Sequence, residues 1–113
     1  MSPSTPEILR HILDEADYLL KTSRGLQRSE FLEDDTLRRA FVRSLEIIGE
    51  AARKIPPDLQ SRTPEIDWRS AIGMRDRLIH GYFGVDYELV WDVVTEKIPE
   101  LRKQVQSLLQ ASG

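Results

Sequence analysis

The chain has 113 residues, with 16 Lys and Arg against 19 Asp and Glu, a formal net charge of −3. This length suits one domain and is too short for two, so we predict a single domain over residues 1–113. The acidic balance argues against a strong, nonspecific nucleic-acid binder, and any RNA contact therefore requires a local positive patch. The chain has no cysteine, which excludes disulfides, thiolate metal sites and cysteine nucleophiles.

Two further patterns limit where the protein acts. No apolar run approaches the roughly 20 residues of a membrane span, and the first residues lack the charged-then-apolar order of a signal peptide. We therefore expect a cytoplasmic protein with no membrane partner.

The charges are also unevenly spread, because residues 38–54 carry five basic side chains against two acidic ones.

The first two predicted helices have apolar side chains at three- and four-residue spacing. One runs from about Pro6 to Ser23, with Thr5 as its cap and Gly25 as its stop. The second begins near Asp35 as its cap and ends at about Ile55, before two prolines. Gly49 inside it normally costs about 1 kcal/mol, which suggests a close approach by another helix.

Two more helices are predicted after a loop over residues 56–66. Asp67 caps one from Trp68 to about Ile79, and Asp86 caps another that ends at about Gln110. Pro99 is expected to kink the last helix, since proline has no N–H and its ring crowds the preceding turn. Strand patterns are absent, so the predicted fold is all-α, an antiparallel up-and-down bundle of four to five helices.

The chemistry-bearing residues are concentrated between Arg75 and Tyr82. His80 can take or give a proton near neutrality, and arginine can hold a phosphate with two hydrogen bonds. A base for the 2′-OH proton and a fixed cation for the pentavalent phosphate are what metal-independent RNA cleavage needs. By composition alone, however, a helix C-terminus with favourable cations and a glycine stop explains the same segment.

Helix geometry restricts how the two groups can meet. Arg75 and His80 are five residues apart, so on a straight helix they differ by about 140° in direction and ~7.5 Å along the axis. Either the helix ends before His80, or a second copy of the chain completes the site. In a two-fold dimer, the same segment from each subunit would line one cleft and concentrate positive charge there.

Several stretches of the sequence closely resemble the HepT-like branch of the HEPN superfamily. The resemblance covers about residues 6 to 109 and rests on Leu45–Ala52, Trp68-Arg69, Ile72–Asp86 and Val90-Trp91-Asp92. The family motif is arginine, four residues, histidine, any residue and tyrosine, and it falls without a gap on Arg75, His80 and Tyr82.

The resemblance implies a homodimeric HEPN-like bundle that acts as the RNA-cleaving toxin of a toxin–antitoxin pair. Its partner would be an MNT-type nucleotidyltransferase antitoxin, which in this family can attach AMP to the motif tyrosine. Arg75 and His80 would then be the catalytic pair and Tyr82 the modification site, with no metal and no cofactor. The residue after the arginine, often asparagine in the family, is Asp76 here, whose carboxylate can orient Arg75 or His80 but also opposes an RNA phosphate.

Other residues have competing interpretations. Arg77 can bind substrate phosphate or form a surface ion pair. Glu46 and Glu50 can contact the basic motif, although we favour a solvated charged face. His11 is interpreted as a surface histidine. The tryptophans can stack on bases, but core or dimer packing is favoured for Trp68 and Trp91.

The sequence is compatible with three functions. The first is a ribonuclease toxin, which the intact motif favours. The second is a non-catalytic HEPN module that binds a nucleotide or a nucleotidyltransferase partner, and Asp76 together with the acidic net charge leaves it in place. The third is a structural dimerisation bundle.

Overall fold

Three long helices form the frame of the molecule in a computed structural model that describes residues 3–79 and 84–112. These are α1 (Thr5–Ser23), α3 (Asp35–Arg53) and, at the end of the chain, α8 (Ile98–Ser112). α1 packs against both of the others. It runs antiparallel to α3, since the Ser44 hydroxyl donates to the Glu15 carboxylate at 2.6 Å while Tyr18 meets Phe41 further along. The predicted all-α antiparallel bundle is confirmed.

Shorter helices complete the bundle. They are α2 (Arg28–Glu33), α4 (Pro57–Arg62), α5 (Trp68–Ile72), α6 (Met74–Leu78) and α7 (Tyr87–Asp92). The π-helical segment Val93–Lys97 joins α7 to α8. None of the helices in the described ranges is both long and apolar enough to cross a membrane.

Two predicted caps are wrong by one residue. Ser4 caps α1, because its extended backbone lets its hydroxyl accept the Glu7 N–H at 3.3 Å, and Thr5 is already helical. Asp34 rather than Asp35 caps α3, with its carboxylate accepting the Leu37 N–H at 3.0 Å. Gly25, with φ of 83°, lies just beyond α1, as expected for a helix stop.

The predicted loop over residues 56–66 contains α4, and the region between α1 and α3 contains α2. Both were missed for local reasons. Pro57 starts α4 rather than breaking a helix, because its missing N–H lies where a helix has no internal partner for it. α2 has a capping box between Gln27 and Glu30, and it buries Phe31 against the ring of Phe41 at 4.8 Å.

The predicted helix from Trp68 to Ile79 is divided at Gly73 into α5 and α6. Gly73 N–H still donates to the Arg69 carbonyl at 2.9 Å, which closes α5 before α6 begins. Asp67 caps α5 as predicted, accepting from Ser70 N–H at 3.0 Å. The chain becomes extended at Ile79, with φ of −111° and ψ of 115°, so α6 ends at Leu78.

The predicted last helix begins as expected, with Asp86 accepting the Leu89 N–H at 3.1 Å. A kink was expected at Pro99, and the structure has a π-helical segment just before it. In a regular helix, the proline ring would crowd the Thr95 carbonyl and offer it no N–H. The wider π turn instead pairs Ile98 N–H with the Val93 carbonyl, and the helix then continues beyond the predicted end at Gln110 to Ser112.

Candidate active site

The described part of the motif lies on α6. Met74 and Leu78 are buried and attach this short helix to the core, while Arg75, Asp76 and Arg77 between them are exposed. His80 and Tyr82, the proposed base and modification site, lie outside the described residues. The sequence places them two and four residues after the last residue of α6.

The backbone on either side of residues 80–83 is paired. Ile79 and Val85 form an antiparallel bridge, and the Asp86 N–H donates to the Leu78 carbonyl at 2.8 Å. The two ends of the segment are therefore held together at the C-terminal end of α6. Because α6 ends at Leu78, Arg75 and His80 do not share one straight helix, which satisfies the first of the two geometric alternatives drawn from the sequence.

Arg75 points towards α3. Its Nε–H donates to Oε2 of Glu46 at 3.3 Å, and the side chain of Arg75 is 63% exposed while that of Glu46 is only 23% exposed. The favoured interpretation of Glu46 as part of a solvated charged face is wrong, because α3 approaches α5 and α6 closely enough to bring it under Arg75. Glu50, one turn further on, is solvent-exposed and pairs with Arg43 at 3.4 Å.

Gly49 makes the close approach possible. A Cβ on Gly49 would lie 3.0 Å from the Ala71 carbonyl oxygen, which is closer than a side-chain carbon normally comes. The close helix contact predicted from this glycine is confirmed. The contact with Glu46 was not favoured from sequence, although its signal was present: Glu46 lies three residues before Gly49, and so on the same face of α3.

Arg77 lies elsewhere. It lines a cavity of about 590 Å³ between α5, α6 and the last helix, together with Glu65, Asp67, Glu96, Lys97 and Glu100. Hydrogen bonds from Ser70 lower the pKa of Asp67, and the positive charges of Arg77 and Arg69 lower it further. These largely acidic surroundings disfavour phosphate binding by Arg77, although among the described residues no carboxylate forms an ion pair with it.

The remaining candidates are distributed as follows. Asp76 is exposed, and among the described residues its side chain has no hydrogen bond or ion pair, so the carboxylate that holds Arg75 is Glu46. His11 is exposed on α1. Both tryptophans pack in the core, Trp68 with its Nε1–H donating to Thr63 at 2.9 Å and Trp91 against the Phe31 ring at 5.3 Å.

Comparison with known proteins identifies the family. The model described as "Ribonuclease HepT-like" matches residues 12–108. A Caldanaerobacter subterraneus subsp. tengcongensis protein named "Putative RNase" is 46% identical over 102 residues, which cover 90% of this chain and 91% of that protein. A Thermococcus cleftensis protein named "Probable ribonuclease HepT" is 40% identical over 108 residues, or 96% of this chain and 98% of that one.

A Methanocaldococcus jannaschii protein also named "Putative RNase" is 39% identical over 102 residues, covering 90% of this chain and 84% of its own length. No solved structure matches the chain. The family match extends over α3, α5 and α6, which carry the contact between Glu46 and Arg75. The resemblance drawn from the sequence is confirmed, and the chain belongs to the HepT-like ribonuclease family of the HEPN superfamily.

Proposed function

We propose that this chain is a metal-independent endoribonuclease whose catalytic pair is Arg75 and His80. The observation that carries the proposal is how the guanidinium of Arg75 is held and exposed in a chain that belongs to a ribonuclease family. Its guanidinium is largely exposed, is held through Nε by Glu46, and leaves its two terminal amino groups without a partner among the described residues. A planar cation presented in this way suits a phosphate, which it can bind with two parallel hydrogen bonds.

The chemistry uses the RNA's own hydroxyl. His80 removes the 2′-OH proton, and the oxygen attacks the adjacent phosphorus. Arg75 stabilises the negative charge that develops on the pentavalent phosphate. The 5′-oxygen of the next nucleotide leaves and takes up a proton, giving a 2′,3′-cyclic phosphate and a free 5′-hydroxyl. Asp76 and Arg77 remain proposed supporting positions, of which Arg77 has the weaker support because acidic side chains surround it.

The cleavage test compares matched variants in excess EDTA on a fluorescent single-stranded RNA. We expect wild-type protein to cleave, and Arg75→Ala and His80→Ala to lose roughly 100-fold or more in rate. Arg69→Ala and His11→Ala are the matched controls, since both replace exposed residues of the same types outside the motif, and they should cleave like wild type. If folded wild-type protein binds a partner but cuts no RNA, the proposal of an enzyme fails in favour of a non-catalytic binding module.

We further propose that the chain is the toxin of a toxin–antitoxin pair, neutralised by a nucleotidyltransferase that transfers AMP to Tyr82. This rests on the family motif, which ends at this tyrosine, two residues after His80. Each added AMP brings a phosphate charge and a bulky base close to the proposed catalytic pair. Negative charge and volume there would oppose the entry of an RNA phosphate.

The modification test is the intact mass of the chain after co-expression with the proposed nucleotidyltransferase antitoxin. We expect a mass increase by whole AMP units, located by peptide mapping on Tyr82 and absent from Tyr82→Phe. Tyr18→Phe is the matched control, because Tyr18 is the exposed large hydrophobic residue among those described, at 38%, and it should still be modified at Tyr82. If an antitoxin that transfers AMP neutralises the Tyr82→Phe variant as fully as it neutralises wild type, the proposal is refuted.

A further inference from the structure

We infer that Glu46 is a positioning residue for catalysis, which acts through Arg75 and does not itself touch RNA. The inference rests on the proposed role of Arg75. It starts from one contact between helices, the hydrogen bond from Arg75 Nε–H to Oε2 of Glu46 at 3.3 Å.

The choice of nitrogen matters. An arginine held at Nε keeps both terminal amino groups available for a phosphate, whereas a pair with those groups would occupy the edge that recognises it. Within the described ranges, Arg75 has no other side-chain hydrogen bond. Glu46 therefore fixes the direction of the guanidinium while leaving its phosphate-binding edge open.

The contact is supported on both sides by rigid packing. Leu45 and Ile48, which flank Glu46 on α3, are almost fully buried, and so is Met74, which precedes Arg75. Gly49 lets the Ala71 carbonyl of α5 come within 3.0 Å of where a Cβ would stand. Because neither backbone can shift freely, Glu46 restrains a long side chain that otherwise has several rotatable bonds.

Exposure distinguishes this pair from an ordinary surface ion pair. Glu46 is 23% exposed, whereas the carboxylates of the other ion pairs between described residues range from 42% to 82% exposed. Arg43, one turn before Glu46 on α3, is paired with Glu50. Glu46 is thus the more restrained partner of the pair, and its single charged partner in the described structure is Arg75, whose exposed guanidinium it holds.

The negative charge of Glu46 distinguishes a positioning role from a role in RNA binding or in folding. A carboxylate close to a phosphate site weakens RNA binding through repulsion, yet it speeds cleavage if it aligns the arginine for the transition state. Removing Glu46 should therefore lower kcat without weakening substrate binding. A residue that only binds RNA, or only holds the fold, would not produce this combination.

The experiment measures cleavage of a fluorescent single-stranded RNA, and binding of the same oligonucleotide with 2′-O-methyl riboses, which lack the attacking hydroxyl. We expect Glu46→Ala to lower kcat about 10-fold and to bind the 2′-O-methyl RNA as tightly as wild type or more tightly. Glu46→Gln keeps an oxygen acceptor and should fall between wild type and Glu46→Ala. Glu50→Ala, which breaks the exposed pair one turn away, should behave as wild type.

A double-mutant cycle makes the outcome specific. In the Arg75→Ala background, Glu46→Ala should have no further effect on the rate. If Arg75→Ala cleaves like wild type, the proposed catalytic role of Arg75 fails. If Arg75→Ala is slow but Glu46→Ala is not, or if Glu46→Ala slows both backgrounds equally, the positioning role alone fails.

A second measurement does not depend on activity. The Nε–H signal of Arg75 in ¹H–¹⁵N spectra should be protected from solvent exchange in wild type and in Glu50→Ala. This protection should be lost in Glu46→Ala. This readout follows the hydrogen bond itself in any variant that remains folded. An Arg75 signal with equal protection in wild type and Glu46→Ala would overturn the inference.

Discussion

Carboxylates near the motif differ in what they do because of the groups beside them. Glu46 faces a guanidinium from another helix, and Glu50 on the same helix faces Arg43 in solvent. Asp67 instead accepts the Ser70 N–H and so begins α5, the helix that precedes the motif. Hydrogen bonds to the charged form of Asp67 hold its pKa below the usual 3.8. Its ionised state is therefore linked to the folded state.

This linkage predicts a pH dependence at the scale of one residue. A carboxylate whose pKa is lower in the folded chain stabilises it fully above the unfolded pKa, and that contribution is lost as pH falls through the folded value. Asp67→Asn keeps an acceptor for the cap without the charge. The difference in melting temperature between wild type and Asp67→Asn should favour wild type at neutral pH, shrink as pH falls below 3.8, the ordinary value for this group, and disappear once pH is below the lower folded-state pKa.

Asp58→Asn is the control for this measurement, because Asp58 is exposed in its pair with Arg62 and caps no helix. It should show a smaller difference at neutral pH. A wild-type advantage that persists unchanged well below pH 3.8 would mean that Asp67 contributes through packing or neutral hydrogen bonds rather than through its charge.

At the scale of elements, the packing of α3 on α5 decides where the motif lies. α5 has only five residues, and it is held by buried Trp68 and Ala71 and by the contact at Gly49. α6 follows after Gly73, and Arg75 is its second residue. The distance between α3 and α5 therefore sets the distance between Glu46 and Arg75.

Gly49→Ala tests this packing. The added methyl group would press on the Ala71 carbonyl at 3.0 Å, and backbone cannot yield as a flexible side chain does. Overpacking costs about 1–3 kcal/mol, against about 1 kcal/mol gained from alanine's helix propensity. We expect a net loss of about 1 kcal/mol in the free energy of unfolding, measured with denaturant, while Glu50→Ala stays within about 0.5 kcal/mol of wild type. A variant more stable than wild type would show that α5 moves away easily.

Elements with a strong period were predictable, and elements set by local chemistry were not. α1, α3 and the last helix follow from apolar spacing, with cap residues predicted to within one position. α2 and α4 were missed because six residues are too few to establish a period, and because Pro57 begins a helix where proline usually suggests a break. The division at Gly73 depends on tertiary packing around two short helices, which the apolar pattern does not encode.

The site was predictable in its residues more than in its contacts. Arg75 and its place in a motif are visible in the sequence, and they lie within the residues that the family model matches. The partner of Arg75 was not, because Glu46 is distant in the sequence and meets it only after α3 and α6 pack. The side chain nearest in sequence, Asp76, was the obvious candidate to orient the arginine, yet it points to solvent.

At the scale of the whole molecule, a net charge of −3 must be reconciled with an RNA substrate. A two-fold dimer would bring two copies of α6 to one cleft and so double the local positive charge. Ile72, Ile79 and Val85 lie beside the motif and are only half-buried in a single chain, which leaves apolar surface for a second copy to cover. On this basis we propose that a homodimer is the working unit.

The dimer proposal predicts a concentration-dependent enzyme. Light scattering after size exclusion should give twice the chain mass of 13.1 kDa. On dilution below the dissociation constant, cleavage per chain should fall along with the dimer fraction, with inert carrier protein added to exclude losses to surfaces. A species of 13.1 kDa that keeps full activity per chain would refute it.

The bridge between Ile79 and Val85 has an evolutionary consequence. It pairs the two residues between which the sequence contains both His80 and Tyr82, and two residues of chain span at most about 7 Å. The proposed base and the proposed modification site therefore stay close to each other whatever changes occur in the surrounding helices, because only one residue separates them in the sequence. On the proposed roles, an insertion between Ile79 and Val85 would alter both positions together, whereas a substitution at Tyr82 would remove the modification site alone.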